Sequence, residues 1–383
     1  MTNATLWLDA SGCAFAVLAL SYTLIACFAV RFPTLTGTGT GTGTSASQPP
    51  VTILKPLCGA EFELYDSLRS FCEQRYPHFQ IVFGVREADD PAVAVVQRLQ
   101  REFPALDLQI TIDPTQRGSS RKVSNLMNMM PLARHDFLVI ADSDVRVAPD
   151  YLAHVVAPLL DPGVGIVTCP YRGRPRPGLW SLVGSIFVNE WFMPSARVAA
   201  LFGSRAFAFG ATIAIRKDVL IGIGGFAAIA NQLADDYRLG ELTRRKGLRT
   251  VLSDVVVETC IDERSLADLV RHQLRWLRTI RTVRPAGYAF SFISFSVPTA
   301  ALGCLLAGGS NATLPILALT GATRLMIHFA VCKPSLPIWR IWVVPFTDTL
   351  AFGLWCWGFL TRRVQWRQVR YRVARDGSAH PIP

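Results

Sequence analysis

Phe137-Leu-Val-Ile-Ala-Asp142-Ser-Asp144 is an apolar run closed by two acids. Side chains of an extended strand alternate faces, so Asp142 and Asp144 are expected to point the same way at the strand's end. Two carboxylates offered from one edge suit a hard divalent cation, Mg or Mn, that keeps waters and takes its other ligands from phosphates. The carboxyl end of a buried strand is also where open α/β sheets bind nucleotides. The plain alternative is a solvated turn. It loses ground because further acids and a basic-aromatic cluster follow.

Outward from this stretch the pattern alternates. Val51-Thr-Ile-Leu54, Gln80-Ile-Val-Phe-Gly-Val85 and Leu108-Gln-Ile-Thr-Ile112 read as short apolar strands. Residues 61–73, a run from Asp90-Pro91 to about Phe103, and residues 123–132 have helical spacing between them. Alternating strands and helices predict a parallel sheet with helices on both faces.

The 383 residues carry a formal charge of +11, and half are hydrophobic. A mean hydropathy of +0.30 is high for a purely soluble chain. Basic and greasy together point to an anionic membrane surface rather than to nucleic acid. No zinc finger, helix-turn-helix or single-strand-binding platform is visible. The nine cysteines are scattered without a C-x-x-C pair, as in a reduced, cytosol-facing protein.

Ala10–Val30 holds 21 uncharged residues, long enough to cross a bilayer. Arg31 follows at once and no Lys or Arg precedes, which predicts an amino terminus outside. A cleavable signal peptide is the alternative, weakened by the missing basic n-region. A Thr-Gly tether and Pro49-Pro50 come next. Three apolar stretches, 286–309, 312–332 and 341–360, close the chain. Three crossings would leave the tail outside, yet residues 361–376 carry six arginines, against the positive-inside rule. One of the three stretches is re-entrant or interfacial, or the tail is an exception. The expected organisation is an anchor over 1–33, a linker over 34–50, a catalytic domain over 51–285, a membrane block over 286–360 and a basic tail over 361–383.

Several other residues bear chemistry. In Asp89-Asp90-Pro91 an acid after a strand can accept from a nucleobase or ribose, or simply cap a helix. Gly118-Ser-Ser-Arg121-Lys122-Val-Ser-Asn125 offers a turn, a cation and an amide, a plausible diphosphate cradle. Phe209-Gly210-Ala-Thr212 is a glycine turn that says little alone. Asp235-Asp236-Tyr237 opens a helical pattern, and one carboxylate there can serve as a general base if burial or its neighbour raises its pKa. Helix capping is the alternative, favoured for Asp235. Arg271, Arg275 and Arg278 share one helical face beside Trp276. Such a face can grip a leaving diphosphate or rest on anionic lipid. The stretch from Trp180 to Phe202 reads either as a leaflet-dipping helix or as an ordinary core helix.

In this order the chain resembles an inverting glycosyltransferase of the GT-A type. It most closely resembles the ceramide glucosyltransferase family, family 21, and within it the bacterial hopanoid biosynthesis-associated branch. The motifs are Asp89-Asp90-Pro91, Lys122-Val-Ser-Asn125-Leu-Met127, Asp142-Ser-Asp144-Val-Arg146-Val147, Arg216-Lys-Asp-Val-Leu220, Asp235-Asp236-Tyr237 and Arg275-Trp276. The resemblance implies a UDP-sugar bound by Asp90, Lys122, Asn125, Asp142, Gly210, Arg275 and Trp276. It implies a divalent cation on Asp142 and Asp144, and Asp236 as base. One departure stands out: the wider signature has Gln or Arg three residues before Arg-Trp, and here that position is His272. The first-position contact is left open.

The expected activity is transfer of N-acetylglucosamine from its UDP-sugar to bacteriohopanetetrol, at the cytosolic face of a bacterial inner membrane. A ceramide glucosyltransferase using UDP-glucose is the nearest alternative. A processive polysaccharide synthase would need more crossings and the intact signature. A catalytically silent nucleotide-binding scaffold would not need acids at all three acid positions.

Overall fold

A computed structural model describes residues 3–32, 47–204, 207–331, 341–360, 363–366, 369–374 and 377–382. Most of the expected linker, and residues 361–362, 367–368, 375–376 and 383 of the tail, lie outside the described residues. The chain divides into two compact units.

One unit, residues 37–176, 204–262 and 371–383, is built on sheets. Its strands are β1 (Val51–Pro56), β2 (Phe79–Val85), β3 (Asp107–Ile112), β4 (Phe137–Ile140) and β5 (Val145–Arg146). They continue as β6 (Val164–Thr168), β7 (Tyr171–Pro175), β8 (Ile213–Arg216), β9 (Arg249–Leu252) and β10 (Val257–Ile261). Seven of them form one sheet in the order β3-β2-β1-β4-β8-β6-β9, and β5, β10 and β7 form a smaller one. Helices Leu64–Cys72, Ala92–Glu102 and Arg121–Met129 fall within one to three residues of the predicted ends. The strands β1, β2 and β6 are almost wholly buried, as continuous apolar runs covered on both faces should be.

The sheet is mixed rather than all-parallel. β8 runs antiparallel to both β4 and β6, while the remaining pairs in this sheet are parallel. An interior strand reads as the same apolar run in either direction, so pattern alone does not reveal the reversal. A second difference lies at the paired acids. β4 ends at Ile140, and Val145 N donates to Asp142 O at 3.3 Å, closing a turn over Ser143 and Asp144. Strand alternation therefore does not extend to Asp144. The turn sets its direction instead.

The other unit, residues 1–36, 177–203 and 263–370, is helical and apolar. Helix Asn3–Arg31 meets Ser296–Leu306 backbone to backbone, because Gly12 and Gly303 leave no room for a Cβ at the crossing. Among the described residues, Leu6–Arg31 and Thr313–Val331 are long and apolar enough to cross a membrane. The first closing stretch is broken: Pro285–Ser294 and Ser296–Leu306 meet at 77°. Val343–Gly358 has 16 residues, or about 24 Å of helix. The stretch weighed as leaflet-dipping or core joins this unit. Tyr22 and Ser195 share a hydrogen bond of 2.8 Å, and Arg197 Nη1 donates to Val30 O at 3.2 Å.

Candidate active site

The site assembles in the sheet unit from loops at the ends of β4 and β8 and two helix starts. Ser120 caps helix Arg121–Met129, its side chain accepting from Val123 N. Ser120 N donates to Ala230 O at 2.9 Å and Ser119 N to Asn231 Oδ1 at 2.9 Å. These bonds draw the start of one helix toward the loop that opens the next, Asp235–Arg245. Lys122 consequently reaches both acid motifs: Nζ lies 2.6 Å from Asp142 Oδ1 and 3.6 Å from Asp235 Oδ2.

Gly210 sits between them. Its N–H donates to Asp236 Oδ2 at 2.8 Å. A Cβ placed on Gly210 would come within 3.2 Å of that oxygen, and within 3.5 Å of both Asp142 Oδ2 and Lys122 Nζ. The loop is pinned from behind by Thr168, whose hydroxyl accepts from Phe209 N and donates to Thr212 O, both at 2.8 Å. Asp142, Lys122, Gly210 and Asp236 therefore meet at one point, although the chain separates them widely.

The electrostatics differ from acid to acid. Burial first, then the charge of Asp235, pushes the Asp236 carboxyl up to about 6, against the pull of Lys122. Asp144 is raised by burial and then by Asp142. Its Oδ2 accepts from the Thr259 hydroxyl at 2.6 Å. Burial alone would lower Lys122, but Asp142 and Asp235 outweigh it and hold it firmly protonated.

The remaining candidates are engaged elsewhere. Asp90 accepts from Gly59 N at 3.0 and 2.9 Å and from Ala92 N at 2.9 Å, so it braces the loop after β1 and the start of a helix. Asn125 is buried and donates to Gly84 O at 2.7 Å, tying its helix to β2. Arg275 and Trp276 belong to the helical unit, on Leu266–Val283. There Trp276 packs against Phe192, with ring centroids 5.4 Å apart. His272, at the departing position, has Nδ1 2.5 Å from Glu263 Oε1.

Sequence reading missed Lys55. It is fully buried at the end of β1, its ammonium 3.9 Å from the Phe71 ring centre and donating to Asp142 O. Burial pulls its pKa down to about 7, opposed by Asp144 and Asp142. A lysine ending the apolar run Val51-Thr-Ile-Leu54 was the available signal. The hydroxyl of Ser143, between the two acids, donates to Glu61 at 2.5 Å.

No group of three metal-ligating side chains occurs among the described residues. Two carboxylates on one turn, the first of them beside a glycine where a Cβ would crowd Asp142 and Asp236, nevertheless fit a cation completed by phosphate and water. Asp142 and Asp144 are the residues that would hold it.

A mixed α/β sheet with acids at the ends of its strands is the architecture of a GT-A glycosyltransferase. The solved mannosyltransferase PcManGT from Pyrobaculum calidifontis, in complex with GDP-Man and Mn2+, shares this fold. Its TM-score is 0.57 at 23% identity, over 91% of this chain and 98% of that one. The chain belongs to glycosyl transferase family 21, which it matches over residues 12–379. Ceramide glucosyltransferase 1 of Caenorhabditis elegans is 25% identical over 54% of this chain and 44% of that protein. An N-acetylglucosaminyltransferase of Rhizobium leguminosarum bv. viciae is 22% identical over 86% of this chain and 77% of that protein. The chain spans about half the length of the curated ceramide glucosyltransferases it first matches.

Proposed function

We propose that the protein transfers a sugar, with inversion, from a UDP-sugar to a membrane lipid hydroxyl at the cytosolic face of a bacterial inner membrane. The observation that carries this reading is the convergence of Asp236, Asp142 and Lys122 around Gly210. Asp236 is the base. A carboxyl pushed up to about 6 is mostly ionised near neutrality yet basic enough to take a hydroxyl proton. Its oxygens already accept from Gly210 N and Tyr237 N, which fixes the carboxylate and leaves lone pairs for the acceptor. Lys122 remains a cation and offsets the clustered acids. A divalent cation on Asp142 and Asp144 would neutralise the departing diphosphate. Asp90 and Asn125 take their donor-binding roles from the family signature. Arg275, with Trp276 beside it, meets the diphosphate of the donor and stabilises the charge as it departs, a contribution that falls on turnover more than on donor affinity.

For the substrates we favour UDP-N-acetylglucosamine and bacteriohopanetetrol, a polyhydroxylated hopanoid. Motifs of the bacterial branch support it, such as Asn189-Glu-Trp-Phe192 and His272-Gln-Leu-Arg-Trp276. So does similarity along most of the chain to a bacterial N-acetylglucosaminyltransferase. UDP-glucose and ceramide are the second reading, favoured by the names of the ceramide glucosyltransferase relatives. Purified enzyme should be offered both lipids with both donors. Product from bacteriohopanetetrol and UDP-N-acetylglucosamine is expected. Glucosylceramide with no hopanoid product overturns the substrate choice, and no transfer in any pairing overturns the reading itself.

A further inference from the structure

Four ionisable side chains meet deep inside the helical unit. Arg324 donates through Nε and Nη2 to the two oxygens of Asp348, at 2.8 and 2.9 Å, and through Nη1 to Glu190 Oε2 at 2.7 Å. His328 Nδ1 lies 2.7 Å from Glu190 Oε1. All four are buried, and the Glu190 side chain is wholly so. Arg324 and His328 lie on the candidate span Thr313–Val331, and Asp348 on Val343–Gly358. Charges at such depth are costly, and they persist where they fix one arrangement among competing packings.

Glu190 is the member that comes from elsewhere in the chain. It lies in Phe187–Phe192, a π-helical turn between helices Leu179–Ile186 and Met193–Leu201. Single π turns widen a helix, redirect its side chains and recur at functional sites. This one presents aromatics on both sides of the glutamate. Trp191 stacks on Phe295 at 4.9 Å and donates to Ser294 at 2.9 Å. Phe187 packs in one apolar cluster with Leu274 and Leu277, and Phe192 lies against Trp276. The turn is thus gripped at Glu190 and, in turn, grips the helix that carries Arg275 and Trp276.

We propose that Glu190 is a positioning residue for Arg275 and Trp276: the buried ion network clamps the π turn, and the turn's aromatic face sets the helix Leu266–Val283. The proposal rests on the glycosyltransferase reading above. Glu190→Gln keeps the shape but removes the charge shared by Arg324 and His328. It should lower kcat about tenfold while KM for the UDP-sugar stays within about twofold. In a Trp276→Phe background the same change should cost less than about twofold, because residues acting through one another are not additive.

Phe192→Leu leaves every charge in place and should reproduce both results, and it serves if Glu190→Gln fails to accumulate. Hydrogen exchange over residues 266–283 should quicken in both variants, with residues 137–144 unchanged, a readout independent of turnover. Wild-type transfer is measured first in the same preparation. No wild-type transfer counts against the function, whereas a failing variant pattern with active wild type counts against Glu190 alone. Unchanged kcat, a rise in KM instead, additive losses in the double variants, or a loss in Glu190→Gln that Phe192→Leu does not share would each overturn the proposal.

Discussion

Asp236 accepts a backbone hydrogen bond at each oxygen, from Gly210 and Tyr237, so asparagine keeps its size and shape but can retain only one of the two bonds. Asp236→Asn should cut transfer by about 100-fold or more, the range expected for a lost general base, and leave UDP-sugar binding nearly intact. Wild-type turnover in that variant would sink the assignment. The sign of the pH dependence follows from the raised carboxyl. The base is protonated below about 6, so kcat should climb as pH rises through that value and level off above it. Asp235→Asn removes the charge that helps raise Asp236, and should shift this limb to lower pH without abolishing turnover. An inactive Asp235→Asn with an active Asp236→Asn would exchange the two roles. Gly210→Ala places a methyl about 3.2 Å from the Asp236 oxygen and 3.5 Å from Asp142 and Lys122. The protein should fold, with donor affinity reduced in calorimetric titration, and unchanged affinity would remove Gly210 from the donor site. The acids were legible because carboxylates at strand ends and helix starts are local patterns. Gly210 was named only through the family resemblance, since a lone glycine turn says little until the fold sets it between distant acids.

At the scale of elements, Arg324 and His328 stand one turn apart in an apolar segment, a placement that calls for a protein-facing partner. Asp348 on the neighbouring segment supplies one, but Glu190 does not announce itself in sequence. Its stretch is a helix that widens by a π turn, and no residue type marks such a turn. Arg324→Leu would leave two buried carboxylates without their cation, a change that typically costs about 3–5 kcal/mol. Thermal unfolding in detergent should show a markedly lower midpoint, and an unshifted midpoint with full activity would mean that the arginine is dispensable. The strand-end acids teach the converse lesson. Alternation along β4 was a sound rule for Phe137–Ile140, but a turn overrides it at Ser143-Asp144, where backbone bonding to Asp142 replaces the pleat.

At the scale of the molecule, the arginine-rich tail poses the topological question. Leu233 N donates to Gly377 O at 3.1 Å, and Gln232 bridges to Ser378, so the end of the tail belongs with the sheet unit beside the Asp235-Asp236 loop. Tail and sheet unit on one side of a membrane require an even number of crossings between them. Among the described residues Thr313–Val331 is long and apolar enough to be one of them, the pair bent by 77° is a broken span or a re-entrant loop, and Val343–Gly358, with 16 residues, falls short of that length. An even count would place the six arginines on the same side as Arg31, in keeping with the positive-inside rule. Cysteines introduced as Asp89→Cys and Arg375→Cys, read as labelling above that of the unsubstituted protein with its nine native cysteines, should both resist a membrane-impermeant maleimide in spheroplasts and both react in inverted vesicles. Reaction of Arg375→Cys alone in spheroplasts would put the tail on the opposite side.

The amino-acid sequence by itself determined the alternating strands and helices, the apolar anchor, the acid motifs and the family they compose. Each of these is a pattern within a few dozen residues, governed by local periodicity and side-chain chemistry. Only the tertiary structure decided that β8 runs backwards, that Lys55 is buried beneath Asp142, that Gly210 joins three distant charges, and that Glu190 completes the pair made by Arg324 and Asp348. These depend on which surfaces meet after the chain has closed long loops. Burial and long-range hydrogen bonding set the outcome there, and neither leaves a periodic trace in the chain.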